Sequence, residues 1–288
     1  MTVGWRVLTA RVPEAVDDEI AAVLGEGSLG VEVAPSGPGM SDVRVYLAAS
    51  DDADRWRDRA ASVLAAHGLT GEYAATTVDA VADERWVERW QASLAPIPLG
   101  ERFVVVPTGH DAAAHGRNPI VLIPGMAFGT GEHATTRMAA AGVERYTAAG
   151  SRWLDLGTGS GLLAVVAARC GAARVLALDI DPEAARVAGE VVRANGASEV
   201  VEVRVGSIDL PGIERFDGIV ANIQSSFFLG NAGRLSDALR PGGVLLASGF
   251  LDGDVLEIGA ALAASGIDVT EQSSEGPWVC LLARRCGA

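Results

Sequence analysis

Asp155-Leu156-Gly157-Thr158-Gly159-Ser160-Gly161 sets an acid ahead of three alternating glycines. Glycines at 157, 159 and 161 remove side chains, so backbone can approach a ligand, and they tolerate positive φ. Leu178-Asp179-Ile180-Asp181-Pro182 carries a second acid, and a carboxylate at 179 can accept hydrogen bonds from two vicinal ribose hydroxyls. Asp181-Pro182 itself reads as a helix cap followed by proline at the first helical position. Ser207-Ile208-Asp209 offers a polar side chain to an adenine amine, although a plain turn explains it nearly as well. Asn222, in Val220-Ala221-Asn222-Ile223, supplies an amide that can orient an attacking nitrogen or hold part of a cofactor.

Together these residues point to a nucleoside-bearing cofactor. Gly159, Gly161 and Ala164 satisfy the dinucleotide pattern G-x-G-x-x-G/A, and a ribose-binding Asp179 would serve a nicotinamide enzyme equally well. The acid and the D-x-G-x-G-x-G spacing fit instead an S-adenosylmethionine pocket, with the glycines at the amino-acid end of the cofactor. A dehydrogenase would also need an acid/base partner for hydride transfer, and no histidine stands near a strand end. Upstream, Pro124-Gly125-Met126-Ala127-Phe128-Gly129-Thr130-Gly131-Glu132-His133-Ala134-Thr135-Thr136 is a glycine-punctuated loop running into a helix near Thr135. Free amides and hydroxyls at a helix start suit a polar or anionic group. The string lacks the G-K-[ST] lysine of a phosphate loop.

The elements that must carry these residues follow from periodicity. Strand signals at Arg152–Leu156, Val175–Ile180, Val200–Val205, Gly218–Ile223 and Gly243–Ser248 alternate with helical stretches at Leu162–Cys170, Pro182–Asn195 and Phe227–Leu239. That alternation predicts a mostly parallel, doubly covered sheet, with ligands bound outside the carboxyl ends of its strands. Ahead of it, strand signals at Val3–Val12, Leu29–Val33, Asp42–Ala48 and Glu72–Val78 enclose helices at Glu14–Leu24 and Asp51–His67. Strand–helix–strand–strand–helix–strand is the ferredoxin-like split βαβ pattern. Pro35–Gly39 reads as a loop, Arg102–Pro107 as an edge strand and Gly109–Asn118 as a polar loop. Residues 79–93 predict a connecting helix with Trp86 and Trp90 on one face. The expected organisation is a small α+β domain at 1–78, a linker at 79–100 and an α/β domain at 101–288.

Composition narrows the partners. Of 288 residues 49% are apolar and 21% charged, which suits a globular chain with a sizeable core. The net charge of −14 argues against a nucleic-acid binder, whose affinity comes from cations on phosphates. It suits a basic protein or an amine. All bases are arginine, and the acids are spread through both parts of the chain. Cys170, Cys280 and Cys286 form neither a disulfide framework nor a metal spacing, and the four histidines are scattered, so no metal is expected. No apolar run is long enough to span a bilayer, and the N-terminus lacks a basic patch followed by an apolar core. The chain reads as cytoplasmic.

Pro124–Thr136 resembles the PGxAFGTGxHxTT signature of the bacterial methyltransferases that modify ribosomal protein L11, the PrmA family. Asp155–Gly161, Asp179–Pro182 and Asn222-Ile223 follow at that family's spacing, and the front domain and Trp86–Trp90 segment are similar in order and length. The resemblance implies a class I methyltransferase fold: a Rossmann-like seven-stranded sheet behind a ferredoxin-like substrate-recognition domain. It implies S-adenosylmethionine as cofactor, S-adenosylhomocysteine as product, and N-methylation of lysine side chains and of an N-terminal amine on a large-subunit ribosomal protein. By motif match Thr136, Gly157, Asp179 and Asn222 would contact the cofactor, with Phe128 and Gly129 closing over it. Asp155, Gly159 and Ser207 complete the expected cofactor set, and Asn222 would also orient the acceptor.

The chain departs from the signature at Glu132 and Ala134, where the family has threonine and proline. After Asn222-Ile223 it continues Gln224-Ser225-Ser226-Phe227-Phe228, without the family's proline and with two aromatics expected beside the acceptor pocket. These changes leave open a different acceptor, such as another protein, a peptide or a small natural product. A nucleoside-binding module without turnover is the reading from another class.

Overall fold

The computed structural model describes residues 5–25, 28, 30–48, 51–69, 76–81, 96–107, 116–122, 131–210 and 214–287. They fall into two compact units, one within residues 5–81 and one within 96–287.

The first unit runs β1 (Trp5–Pro13), α1 (Asp17–Gly25), β2 (Gly30–Gly37), β3 (Met40–Ala48), α2 (Ala53–Ala66), β4 (Thr76–Val81). Its four strands form an antiparallel sheet in the order β2-β3-β1-β4. Alternate residues Leu8, Ala10 and Val12 of β1 and Val43, Val45 and Leu47 of β3 face one way. They pack against Ile20 and Leu24 of α1 and Trp56, Ala60 and Leu64 of α2. Asp52 caps α2 through the N–H groups of Asp54 and Arg55.

Three boundaries differ from expectation. β2 continues through Pro35 to Gly37, leaving only a tight turn before β3. Proline is tolerated because β2 is an edge strand, where a missing N–H breaks no inner ladder. α1 starts at Asp17 rather than Glu14, after a turn in which Val16 N–H bonds to Pro13 O. β4 continues to Val81 because it pairs with β1 as far as Trp5, so residues 79–81 are strand and not linker. Residues 97–99 of the expected linker are also strand. Trp86 and Trp90 lie outside the described residues.

The second unit opens with a three-stranded sheet of β5 (Ile97–Leu99), β6 (Phe103–Pro107) and β7 (Asn118–Leu122). β6 is central, antiparallel to β5 and parallel to β7, and is not the edge strand expected from its sequence. Its partners are too short to signal themselves, but Phe103, Val104, Val105 and Val106 are all buried, as a doubly covered strand requires. Then follow α3 (Ala134–Tyr146), β8 (Arg152–Leu156), α4 (Leu162–Arg169), β9 (Arg174–Asp179), α5 (Pro182–Ala194), β10 (Val201–Val205), β11 (Phe216–Asn222), α6 (Ser225–Ala238), β12 (Leu239–Leu251), α7 (Val255–Ala264), β13 (Ile267–Glu275) and β14 (Trp278–Arg285).

The large sheet has the order β10-β9-β8-β11-β12-β14-β13, with only β14 antiparallel to its neighbours. The chain reverses direction across the sheet between β8 and β11, the switch point where an open α/β sheet binds ligands. Apolar clusters cover both faces, one including Trp153, Val165 and Val191 and the other Leu154, Phe228 and Leu281. The turn from α7 into β13 and the β13–β14 hairpin carried no sequence signal. β13 buries only Ile267, so its polar residues show no alternation, and backbone pairing to β14 holds it in the sheet.

Candidate functional site

The carboxyl ends of β8, β9, β10 and β11 bring the candidate residues together. β8 carries Asp155 into the core, and the glycine turn leaves its end with Gly157, Gly159 and Gly161 all at positive φ. At Gly157 a Cβ would lie 2.8 Å from Ile223 Cγ1, and at Gly161 one would lie 3.1 Å from the Ala188 backbone of α5. Both glycines are therefore required by close approach as well as by backbone conformation. The turn is tied to β9: Thr158 N–H donates to Leu178 O and Gly159 N–H to Asp179 Oδ2, each at 2.9 Å.

Asp179 ends β9 half-buried. Its other oxygen, Oδ1, accepts from Asp181 N–H at 3.0 Å, and Asp181 in turn caps α5 through Glu183 N–H. Each Asp179 oxygen thus holds one backbone donor and keeps lone-pair capacity for hydroxyls. Val205 stands opposite Asp179 in the β9–β10 register, and both Val205 and Ile180 are exposed. Two apolar side chains left in solvent beside a carboxylate with open acceptor sites would suit the face of a flat base. Ser207 follows at the turn after β10, where its carbonyl accepts from Leu210 N–H.

Asp155 is buried. Oδ2 accepts from Thr158 Oγ1 at 2.6 Å and from Ala164 N–H at 3.0 Å, while Oδ1 has no partner among the described residues. Desolvation pushes its pKa up to about 7, against the two hydrogen bonds and with a smaller push from the Asp179 charge. Thr158 was not singled out in the sequence; its place three residues after the acid was the available signal.

Asn222 ends β11. Its Nδ2 donates to Thr136 Oγ1 at 3.2 Å, and its Oδ1, also buried, has no partner among the described residues. Thr136 lies buried in the first turn of α3, whose cap is His133. His133 Nδ1 sits 2.7 Å from Thr135 Oγ1. Ser248, inside β12 and level with Asn222 in the β11–β12 register, shares its hydroxyl between Val279 O at 3.0 Å and Thr135 O at 3.3 Å. It is the last residue of the strand signal Gly243–Ser248, and its polar side chain at that point was the available signal. Phe128 and Gly129 lie outside the described residues.

Gln224 occupies the cap position of α6, which begins at Ser225. Phe228 is fully buried in the core cluster with Phe250 and Phe216, and Phe227 packs against the same cluster. Phe228 therefore belongs to the core side of α6 and not beside the acceptor pocket, whereas Phe227 is only partly buried against the same cluster. The helical period decides this: Phe228, Ala232 and Leu235 share one buried stripe.

A ligand carrying a ribose, a base and a cationic amino-acid end fits these residues. Asp179 would take the hydroxyls, Ile180 and Val205 would line the base, and the glycine turn would admit the chain between them. The buried Asp155 oxygen leaves acceptor capacity for the cationic end, and the Asn222 oxygen leaves it for a further polar group at the end of β11. Fold and site are those of a class I S-adenosylmethionine-dependent methyltransferase.

Comparison with known proteins gives the family. The family described as ribosomal protein L11 methyltransferase (PrmA) matches residues 22–286. The ribosomal protein L11 methyltransferase of Pelotomaculum thermopropionicum is 41% identical over 248 residues, covering 85% of this chain and 80% of that protein. That of Citrifermentans bemidjiense is 32% identical over 314 aligned positions, covering 99% of both. A solved ribosomal protein L11 methylase from Lactobacillus delbrueckii subsp. bulgaricus superimposes with a TM-score of 0.61 at 31% identity. It covers 67% of this chain and all of that one. The chain belongs to the ribosomal protein L11 methyltransferase family.

Proposed function

We propose that the enzyme transfers methyl groups from S-adenosylmethionine to amines of ribosomal protein L11, on lysine side chains and on the N-terminal amine. The observation that carries this reading is the Asn222 carboxamide. It is fixed at one end by Thr136 and carries at the other a buried oxygen with no partner among the described residues. A carbonyl-type acceptor in that position can hold an amine N–H and aim the nitrogen lone pair. When bound, the cofactor supplies an electrophilic methyl on sulfur and a thioether leaving group.

The chain's own part is orientation. Asp179 and the glycine turn fix the nucleoside and amino-acid ends of the cofactor, so that the methyl is presented toward β11. Asn222 Oδ1 accepts from the incoming amine, which must arrive neutral although a free lysine has a pKa of about 10.4. Holding both partners in line converts an encounter into a positioned displacement. The amine loses its extra proton to water after transfer. The acidic chain, at −14, draws a lysine-rich partner toward the site.

Burial of Phe228 bears on the acceptor. Because Phe228 serves the core and Phe227 packs partly against the same cluster, these aromatics are drawn away from the edge around Asn222. This favours the family's own acceptor over a small natural product. We assign acceptor docking to the first unit, whose βαββαβ order and antiparallel sheet support reading it as a ferredoxin-like platform, and we place the enzyme in the cytoplasm. Among the described residues no helix is long and apolar enough to cross a membrane.

The test is transfer from labelled S-adenosylmethionine to purified L11, with the intact product weighed. Mass should rise in steps of one CH2. No rise, with cofactor binding shown in parallel, would move the acceptor elsewhere. Removing residues 1–81 should abolish methylation of L11 and leave cofactor affinity within a few-fold; full activity without them would refute the docking role.

A further inference from the structure

The β13–β14 hairpin closes the sheet at its edge, far in sequence from every motif residue, yet its tip reaches the helix that holds Asn222. β13 runs parallel to the inner strands, so its end, at Glu275, lies at the same carboxyl edge as the site. Trp278 opens β14 and pairs with Leu251 of β12. Its indole meets the His133 imidazole edge-on, with ring centroids 4.6 Å apart and planes at 73°. Glu275 forms an ion pair with Arg137. The hairpin tip therefore grips the first turn of α3 at its cap residue and again one turn further on.

What the grip controls is on the same turn. The His133 carbonyl accepts from the N–H groups of Thr136 and Arg137, each at 3.1 Å. Thr136 Oγ1 accepts from the Asn222 amide at 3.2 Å. Ser248 joins the two sides, with its hydroxyl shared between Thr135 O on α3 and Val279 O, the residue after Trp278. A chain of contacts thus runs Trp278, His133, Thr136, Asn222. Among the described residues one hydrogen bond sets the orientation of the carboxamide, so a shift of α3 by a fraction of an ångström would rotate Oδ1 away from the amine.

We propose that Trp278 is a positioning residue for methyl transfer. Acting through His133, it locks the first turn of α3 and with it the Asn222 carboxamide. The inference rests on the acceptor role given to Asn222 above. An aromatic edge contact fixes relative orientation as well as burying area, and small misplacement of a reacting pair can lower a rate by up to about a hundredfold. The Asp179 half of the site shares none of these contacts.

The experiment compares the full-length wild type with Trp278→Ala, Trp278→Phe and Glu275→Gln. Cofactor affinity is read by calorimetry with S-adenosylhomocysteine, amide hydrogen exchange at Thr136 and Arg137 by NMR, and kcat and KM by transfer to L11. Trp278→Ala should lower kcat about tenfold or more, leave cofactor Kd and acceptor KM within about twofold, and speed exchange at Thr136 and Arg137 but not in α5. Trp278→Phe, which keeps an aromatic edge, should recover most of the loss, and Glu275→Gln should lie between. Unchanged kcat and unchanged exchange in a folded Trp278→Ala protein would overturn the proposal. So would an equal loss in cofactor affinity, which would mark a general structural role. A wild type that binds cofactor but leaves L11 unmethylated would instead refute the acceptor reading, and the exchange data would still decide whether Trp278 holds α3.

Discussion

The two halves of the site edge are built differently. Around β8 and β9 the ligand-facing groups are held by backbone: glycines at positive φ, amides donating to Asp179, and helix starts at Gly161 and Asp181. Around β11 the key group is a side chain held by another side chain, Asn222 on Thr136, and Thr136 is placed by residues from α3, β12 and β14. The first half is assembled by neighbours in sequence and the second by residues up to 145 positions away, counting His133 to Trp278. Cofactor binding should therefore be a local property of the glycine turn and β9. Acceptor orientation should depend on the whole domain.

The largest effect that would break this contrast is on Asp179. Asp179→Ala removes an ionised acceptor worth about 1.5–3 kcal/mol per hydrogen bond. It also frees the Gly159 and Asp181 amides, so affinity for S-adenosylhomocysteine should fall by about a hundredfold or more. Calorimetry showing unchanged affinity would end the ribose assignment. Asn222→Ala should do the reverse, lowering kcat by about a hundredfold with cofactor affinity within a few-fold. If instead steady-state kinetics and calorimetry fell together, the two halves would not be separable.

Gly157 is where the halves touch, since a Cβ there meets Ile223, the residue after Asn222. Gly157→Ala should destabilise the protein by about 3 kcal/mol, part from the left-handed backbone and part from the clash. Adding Ile223→Ala should recover the clash share and leave the strain, as measured by urea unfolding. A double variant no better than the single would show that the contact does not couple them.

The smallest effect is a pH dependence. The folded-state pKa of Asp155 is raised to about 7 from 3.8, so the folded protein holds a proton that the unfolded chain releases. Stability from this group is greatest below about pH 4 and declines as pH rises to about 7. Asp155→Asn keeps an acceptor for Thr158 and Ala164 while removing the ionisation. Relative to wild type it should gain roughly 2–3 kcal/mol between about pH 5 and pH 8, the part of the decline that unfolding at those two pH values reads. Parallel pH profiles for the two proteins would contradict the burial argument.

Legibility in the sequence followed the same division. Asp155–Gly161 and Asp179–Pro182 were readable because their geometry is made within a few residues: the glycines free the backbone, and proline starts α5 where Asp181 caps it. The alternating strands and helices from Ser151 to Ser248 were readable because buried parallel strands are continuous apolar runs. β7 and the β13–β14 hairpin were not, since β7 opens on Asn118-Pro119, which reads as loop, and β13 is an exposed edge strand with no periodic signal. Only pairing partners reveal them.

The sequence by itself therefore determined the cofactor half of this enzyme, because glycine conformation, helix capping and strand-end carboxylates are local physics. Only the tertiary structure decided that Phe228 belongs to the core and that β6 is a central strand. It alone placed Trp278 on the helix that steadies Asn222. Those outcomes depend on which surfaces meet after collapse, and contact across long chain separations leaves no mark in residue spacing.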